Sequence, residues 1–114
     1  MTTRILEIRT YRLVAGVRAE FDRLVRERSL PMLARHGITV VRCEPSLVDD
    51  DHYVLMRSYA SLAERDAQLS GFYGSSEWEE QHAPILMPLI EGFHPVLLEA
   101  DEDAITRLTR ESAP

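Results

Sequence analysis

Arg4-Ile5-Leu6-Glu7-Ile8-Arg9-Thr10-Tyr11-Arg12-Leu13 is the stretch on which the fold turns. Its side chains alternate, with Leu6, Ile8 and Thr10 on one face and Ile5, Glu7, Arg9, Tyr11 and Leu13 on the other, which is the period of a β-strand. Apolar residues occupy both faces. A strand of this kind belongs in the middle of a sheet, and each of its faces needs cover.

Working outward, Gly16 ends the run. From Val17 the apolar residues Phe21, Leu24, Val25, Met32 and Leu33 recur at helical spacing as far as Gly37, a C-terminal cap. Pro31 removes one amide donor and crowds the carbonyl four residues back, so the helix is expected to kink there. Ile38 to Leu47 returns to strand character, Asp49-Asp50-Asp51 makes a turn, and Tyr53 to Ala60 completes a hairpin. Ser61 and Glu64 stand at capping-box spacing ahead of a second helix carrying Leu62, Leu69 and Phe72. Pro84 and Pro88 divide residues 75–91 into a short turn and a second piece, and Phe93 to Ala100 reads as the last strand.

The order strand, helix, strand, strand, helix, strand predicts an α+β domain of the ferredoxin-like, split βαβ kind, an antiparallel sheet with helices on one face. In a monomer the other apolar face is left in water, so a second copy packing sheet against sheet is expected, giving a homodimer. Residues 1–100 form the domain and 101–114 a polar tail. There Asp101 and Asp103 suit the start of a helix, Arg107 and Arg110 suit its end, and Ile105 and Leu108 are its two anchors. Such a helix needs a surface to lie on, and the partner subunit is the expected one.

A chain of 114 residues has room for one core. Its net charge of −6, with thirteen arginines scattered among nineteen acids, gives a nucleic acid no basic stripe to bind. No run approaches the roughly 20 apolar residues of a membrane span, and the start lacks the apolar segment of a secretory signal, so a cytoplasmic protein without a membrane partner is expected. Cys43 is the single cysteine, which excludes an internal disulfide, and it reads as a strand thiol. Lysine and asparagine are absent, so Schiff-base chemistry on a lysine drops out.

Beyond the alternation itself, Ile5 to Leu13 with Gly16 and Phe21 resembles the opening motif of NIPSNAP-family domains. Ser29-Leu30-Pro31-Met32-Leu33 ahead of His36-Gly37, then Met56 to Leu62, then Phe72-Tyr73-Gly74-Ser75-Ser76-Glu77-Trp78 agree in order and spacing, so the resemblance covers about residues 4–99. It implies the dimeric α/β-barrel fold, with two sheets face to face and a cavity between each sheet and its own helices. Related groups include cofactor-free monooxygenases, polyketide cyclases and haem-degrading proteins. NIPSNAP proteins themselves mostly lack an established reaction.

Alternation puts Glu7, Arg9 and Tyr11 on one face. If that face looks toward the helices, an acid, a cation and a phenol line a cavity able to hold a carboxylate or an enolate. Arg57 and Tyr59 share a face of the neighbouring strand and extend the patch, while Tyr73 and Trp78 follow the second helix, where related barrels place residues at the pocket mouth. Proton abstraction falls to His82 or Glu7, with Arg9 and Tyr11 stabilising the enolate; His82 is the better placed base, since imidazole titrates near neutrality, and it departs from the Gly-Pro associated with the family at this point. The competing reading of each residue is structural: an ion pair, an interface contact or ordinary packing. Asp49-Asp50-Asp51-His52 has metal-ligand types, but consecutive turn residues point apart, so a solvated turn and no metal site is the reading. The resulting expectation is a small planar organic ligand and a cyclase, isomerase or monooxygenase needing no cofactor. Its alternatives are a non-catalytic binding protein and a structural dimer.

Overall fold

The computed structural model describes residues 2–111, with side chains to residue 109. Strand β1 (Thr3–Leu13) lies in the middle of a four-stranded antiparallel sheet of order β2-β3-β1-β4, with β2 at Thr39–Pro45, β3 at His52–Tyr59 and β4 at Ile90–Asp101. Glu7 stands opposite Arg57 on β3, and Tyr11 stands between Tyr53 on β3 and Phe93 on β4. The α+β, ferredoxin-like topology read from the sequence is therefore the fold, and β1 is central as its doubly apolar pattern requires.

Helix α1 covers residues 18–35 and ends on Gly37, whose φ of +76° suits glycine alone. The amides of Gly37 and Ile38 bond to the carbonyls of Ala34 and Leu33, closing the helix as the glycine predicts. Helix α2 (Leu62–Tyr73) is capped by Ser61, whose hydroxyl accepts from the Glu64 amide at 3.1 Å, while the Glu64 carboxylate reaches back to the Ala60 amide. Both helices lie on one face of the sheet. Phe21, Leu24, Leu33 and Phe72 pack there against Leu13, Tyr53, Leu55 and Tyr59.

Neither proline-containing helix bends simply. In α1 the turn Val25–Ser29 is a π-helix, wound one residue wider than an α-turn, and Pro31 opens the α-helical turn that follows. Residues 77–89, here α3, repeat the device: a π-turn at Glu77–His82, an α-turn Ala83–Leu86 containing Pro84, then a 3-10 turn Met87–Leu89. A proline ring clashes with the carbonyl four residues back, and widening the preceding turn relieves that clash. The residue two before each proline, Ser29 or His82, closes its π-turn.

The tail is helical, as Glu102–Glu111 (α4), and its anchors rest on the chain's own sheet. The Glu102 amide bonds to the Thr2 carbonyl, carrying β4 round the sheet end, and Ile105 packs on Leu6 and Val41 with Leu108 beside it. Thus the face opposite α1 and α2 is covered at one end by α4, where the sequence predicted helices on one face only. Val96 and Leu98 of β4 remain exposed. No helix among the described residues is long and apolar enough to cross a membrane.

Candidate functional site

A cavity of about 450 Å³ lies between the sheet and the helices. β1 and β3 form its polar floor, because their inward rows bring Glu7, Arg9 and Tyr11 beside Arg57 and Tyr59. α2 contributes Arg65, Leu69, Phe72 and Tyr73, α3 contributes Trp78 and His82, and α1 contributes Ser29 and Met32.

Glu7 is 0% exposed. A bare carboxylate there would be very costly, and it is instead saturated. One oxygen accepts from Arg65 at 2.7 and 3.2 Å and from Arg9 at 3.5 Å; the other accepts from the Tyr59 hydroxyl at 2.9 Å, with Arg57 Nε 3.7 Å away. Burial pushes this carboxyl up, but the Arg65 hydrogen bonds, Arg57, the Tyr59 hydroxyl and Arg9 together outweigh it and hold it below the usual range. Burial also pushes the Tyr59 phenol up to about 12. Glu7 and Tyr59 consequently stand behind the cavity, as the support of its arginines.

Three guanidinium groups around one carboxylate leave an excess of positive charge. Each arginine of the floor is also tied to a phenol: Arg9 Nε donates to Tyr11 at 3.0 Å and Arg57 Nη2 to Tyr73 at 3.0 Å. A phenol oxygen that accepts in this way keeps its own proton free to donate. Arg9 lies under the Phe93 ring, 4.7 Å from its centroid, and Arg57 is 2% exposed with Nε and Nη1 lacking a hydrogen-bond partner. Positive charge is therefore concentrated at this end of the cavity.

The other polar feature is His82, 3% exposed, whose Nε2 lies 2.6 Å from Ser29 Oγ. Burial, reinforced by nearby Arg28 and opposed by Glu77, pulls this imidazole below its ordinary value, so it is neutral at pH 7. Trp78 packs against it at 5.6 Å and continues into Tyr73 and Phe72. A neutral, buried imidazole in the same cavity as a cationic floor joins a proton acceptor to an anion-stabilising surface.

Of the eight residues singled out from the sequence, Arg9, Tyr11, Arg57, Tyr73, Trp78 and His82 line this one cavity, while Glu7 and Tyr59 back it. Ser29, Arg65 and Phe93 were not singled out. Arg65 had a legible signal, since it precedes Leu69 and Phe72 by four and seven residues and so shares their inward helical face. The Asp49–Asp51 segment is a turn in which Asp49 binds the His52 amide and ring. No group of three or more His, Cys, Asp or Glu able to hold a metal ion occurs among the described residues.

The comparisons with known proteins agree with this architecture. A NIPSNAP-family protein of Agrobacterium tumefaciens is 24% identical, covers 94% of each chain and superposes with a TM-score of 0.81. An uncharacterized NIPSNAP domain protein of Burkholderia xenovorans is 22% identical over 86% of this chain and 95% of its own, with a TM-score of 0.76. A second A. tumefaciens member, of unknown function, is 21% identical over 85% and 87%, with a TM-score of 0.79. No curated protein matches the chain. The NIPSNAP family model matches residues 6–98, nearly the whole of the domain built from β1 to β4, and the chain belongs to the NIPSNAP family.

Proposed function

We propose that this protein is a homodimeric enzyme that binds a small planar organic molecule in the sheet–helix cavity and abstracts a proton from it without a cofactor. The observation that carries the reading is the neutral, buried His82, held by Ser29, in one cavity with Arg9, Tyr11 and Arg57. His82 takes a proton from carbon next to a carbonyl. The electron pair moves onto the carbonyl oxygen, where Arg9 and the Tyr11 hydroxyl hold the developing enolate. From there the enolate carbon attacks a second carbonyl in a cyclase, is reprotonated elsewhere by the imidazolium in an isomerase, or reacts with oxygen in a monooxygenase. Glu7 keeps the arginines in place and is too firmly bound to them to act as the base.

The homodimer is supported by the remaining apolar surface. Val96 and Leu98 of β4 lie in the open on the face that α4 leaves bare, beside Ile8 and Met56. A second sheet laid on that face buries them.

Non-catalytic binding by the same cavity is the second reading, favoured by one observation: the arginine–tyrosine floor needs no base in order to hold an anion. Deuterium exchange separates the two. Wild-type protein is expected to accelerate exchange of the α-protons of 2-tetralone, a planar aromatic ketone, in D2O, with acceleration lost in a folded His82→Gln. Retention of the ketone without accelerated exchange would leave the binding protein as the better account.

A further inference from the structure

We propose that the ligand of this cavity carries a carboxylate, seated against Arg57 and Tyr73, on an aromatic body. This rests on the site described under the proposed function and narrows its ligand from a planar organic molecule to an aromatic acid.

Charge gives the first reason. Arg9, Arg57 and Arg65 share the single carboxylate of Glu7, so the apo cavity floor holds more positive than negative charge in a place water barely reaches. One bound anion brings the floor nearer balance. A neutral ligand leaves it as it is.

Unmet hydrogen bonding gives the second. Arg57 is 2% exposed; its Nη2 gives one of its two protons to Tyr73, its Nη1 has no hydrogen-bond partner among the described residues, and its Nε stands 3.7 Å from a Glu7 oxygen without a hydrogen bond to it. Buried arginine donors are normally satisfied. A carboxylate presents two oxygens in one plane, the arrangement that a guanidinium fork matches best, and the Tyr73 hydroxyl, already accepting from Arg57, has its proton left to give to one of them. Glu7 reaches only the Nε side of Arg57, at 3.7 Å, while Arg65 and Tyr59 hold its oxygens behind the floor.

The walls give the third. Phe21, Leu55, Phe72, Trp78 and Leu86 surround the floor with apolar and mostly aromatic surface, leaving few donors for a phosphate's additional oxygens or for a sugar. The class that fits is an aryl or fused-ring carboxylic acid. Its carboxylate is then the anchor at Arg57 and Tyr73, and a ring carbonyl or phenol is the group presented to Arg9, Tyr11 and His82.

Calorimetric titration of the full chain with 2-naphthoate and with 2-naphthamide, equal in skeleton and differing in charge, tests this. The acid is expected to bind at least about tenfold more tightly than the amide, and to change the emission of Trp78, the sole tryptophan. In Arg57→Met the preference is expected to vanish while amide binding persists. If that variant does not fold, Tyr73→Phe is expected to reduce the preference severalfold. Equal affinity for acid and amide, no binding of the acid, or an undiminished preference in the folded variant overturns the proposal. Naphthoate binding is read without turnover and tetralone exchange without a carboxylate, so either idea can fail while the other stands.

Discussion

Ser29 Oγ and His82 Nε2 lie 2.6 Å apart, although 53 residues separate them in the chain and each closes a π-turn two residues ahead of a proline. His82 lines the cavity, and burial holds its imidazole below the ordinary value. Ser29→Ala leaves a ring nitrogen unpaired in a place water does not reach. A loss of about 1–3 kcal/mol in unfolding free energy is expected, to be read by urea denaturation.

The His82 ring also makes stability depend on pH. Its folded value lies below the ordinary 6.5, so the unfolded chain binds a proton first as pH falls. The contribution is complete above 6.5 and is lost as pH drops from there toward the folded value. Thermal melts across that interval are expected to shift downward with acid in the wild type and much less in His82→Gln. Equal shifts in both would place the dependence elsewhere.

Glu7→Gln removes the one negative charge among three arginines while keeping the shape of the side chain. Breaking a buried pair in this way is expected to cost about 3–5 kcal/mol. Because the Glu7 carboxyl is held below its ordinary 4.5, its contribution is complete above that pH and is lost as pH falls through the lowered folded value. Acid unfolding of the wild type and the variant should therefore converge at low pH, a comparison made by circular dichroism.

Sedimentation at micromolar concentration is expected to give a dimer. Leu98→Asp places a charge on the exposed part of the sheet face without touching the cavity. A dimer weakened by about tenfold or more is expected, and an unchanged dissociation constant would point to a different face.

Ile105→Ala is expected to cost about 2–5 kcal/mol, since the side chain is buried on Leu6 and Val41. Removing residues 102–114 bares the same surface. The dissociation constant of the truncated dimer then shows whether α4 also serves the second copy, with no change expected if it serves its own sheet alone.

Much of this was legible because it is local. Alternation in β1 placed Glu7, Arg9 and Tyr11 on one face, register added Arg57, and the Gly37 and Ser61 caps marked the helix boundaries within a residue or two. What stayed hidden depends on distant chain segments meeting. Glu7 reads as the partner of Arg9 alone until Arg65, 58 residues on, is seen to close over it. Tyr59 shares a strand face with Arg57, yet the next position along the strand carries its hydroxyl to Glu7 rather than into the cavity. Pro31 announced a disturbance in α1, but a kink and a wider turn both relieve the same clash, so the π-turn at Val25–Ser29 could not be read from the proline alone. The tail's anchors were evident, whereas the hydrogen bond from Glu102 to Thr2 that folds them onto their own sheet was not.

The two π-turns give the domain an unusual genetic property. A π-turn holds one residue more than the α-turn it replaces, so deleting a single residue from it restores a regular helix with the flanking faces still in phase. Deletion of one residue from 25–28 is thus expected to leave α1 able to pack on the sheet while reshaping the turn that Ser29 closes beside His82.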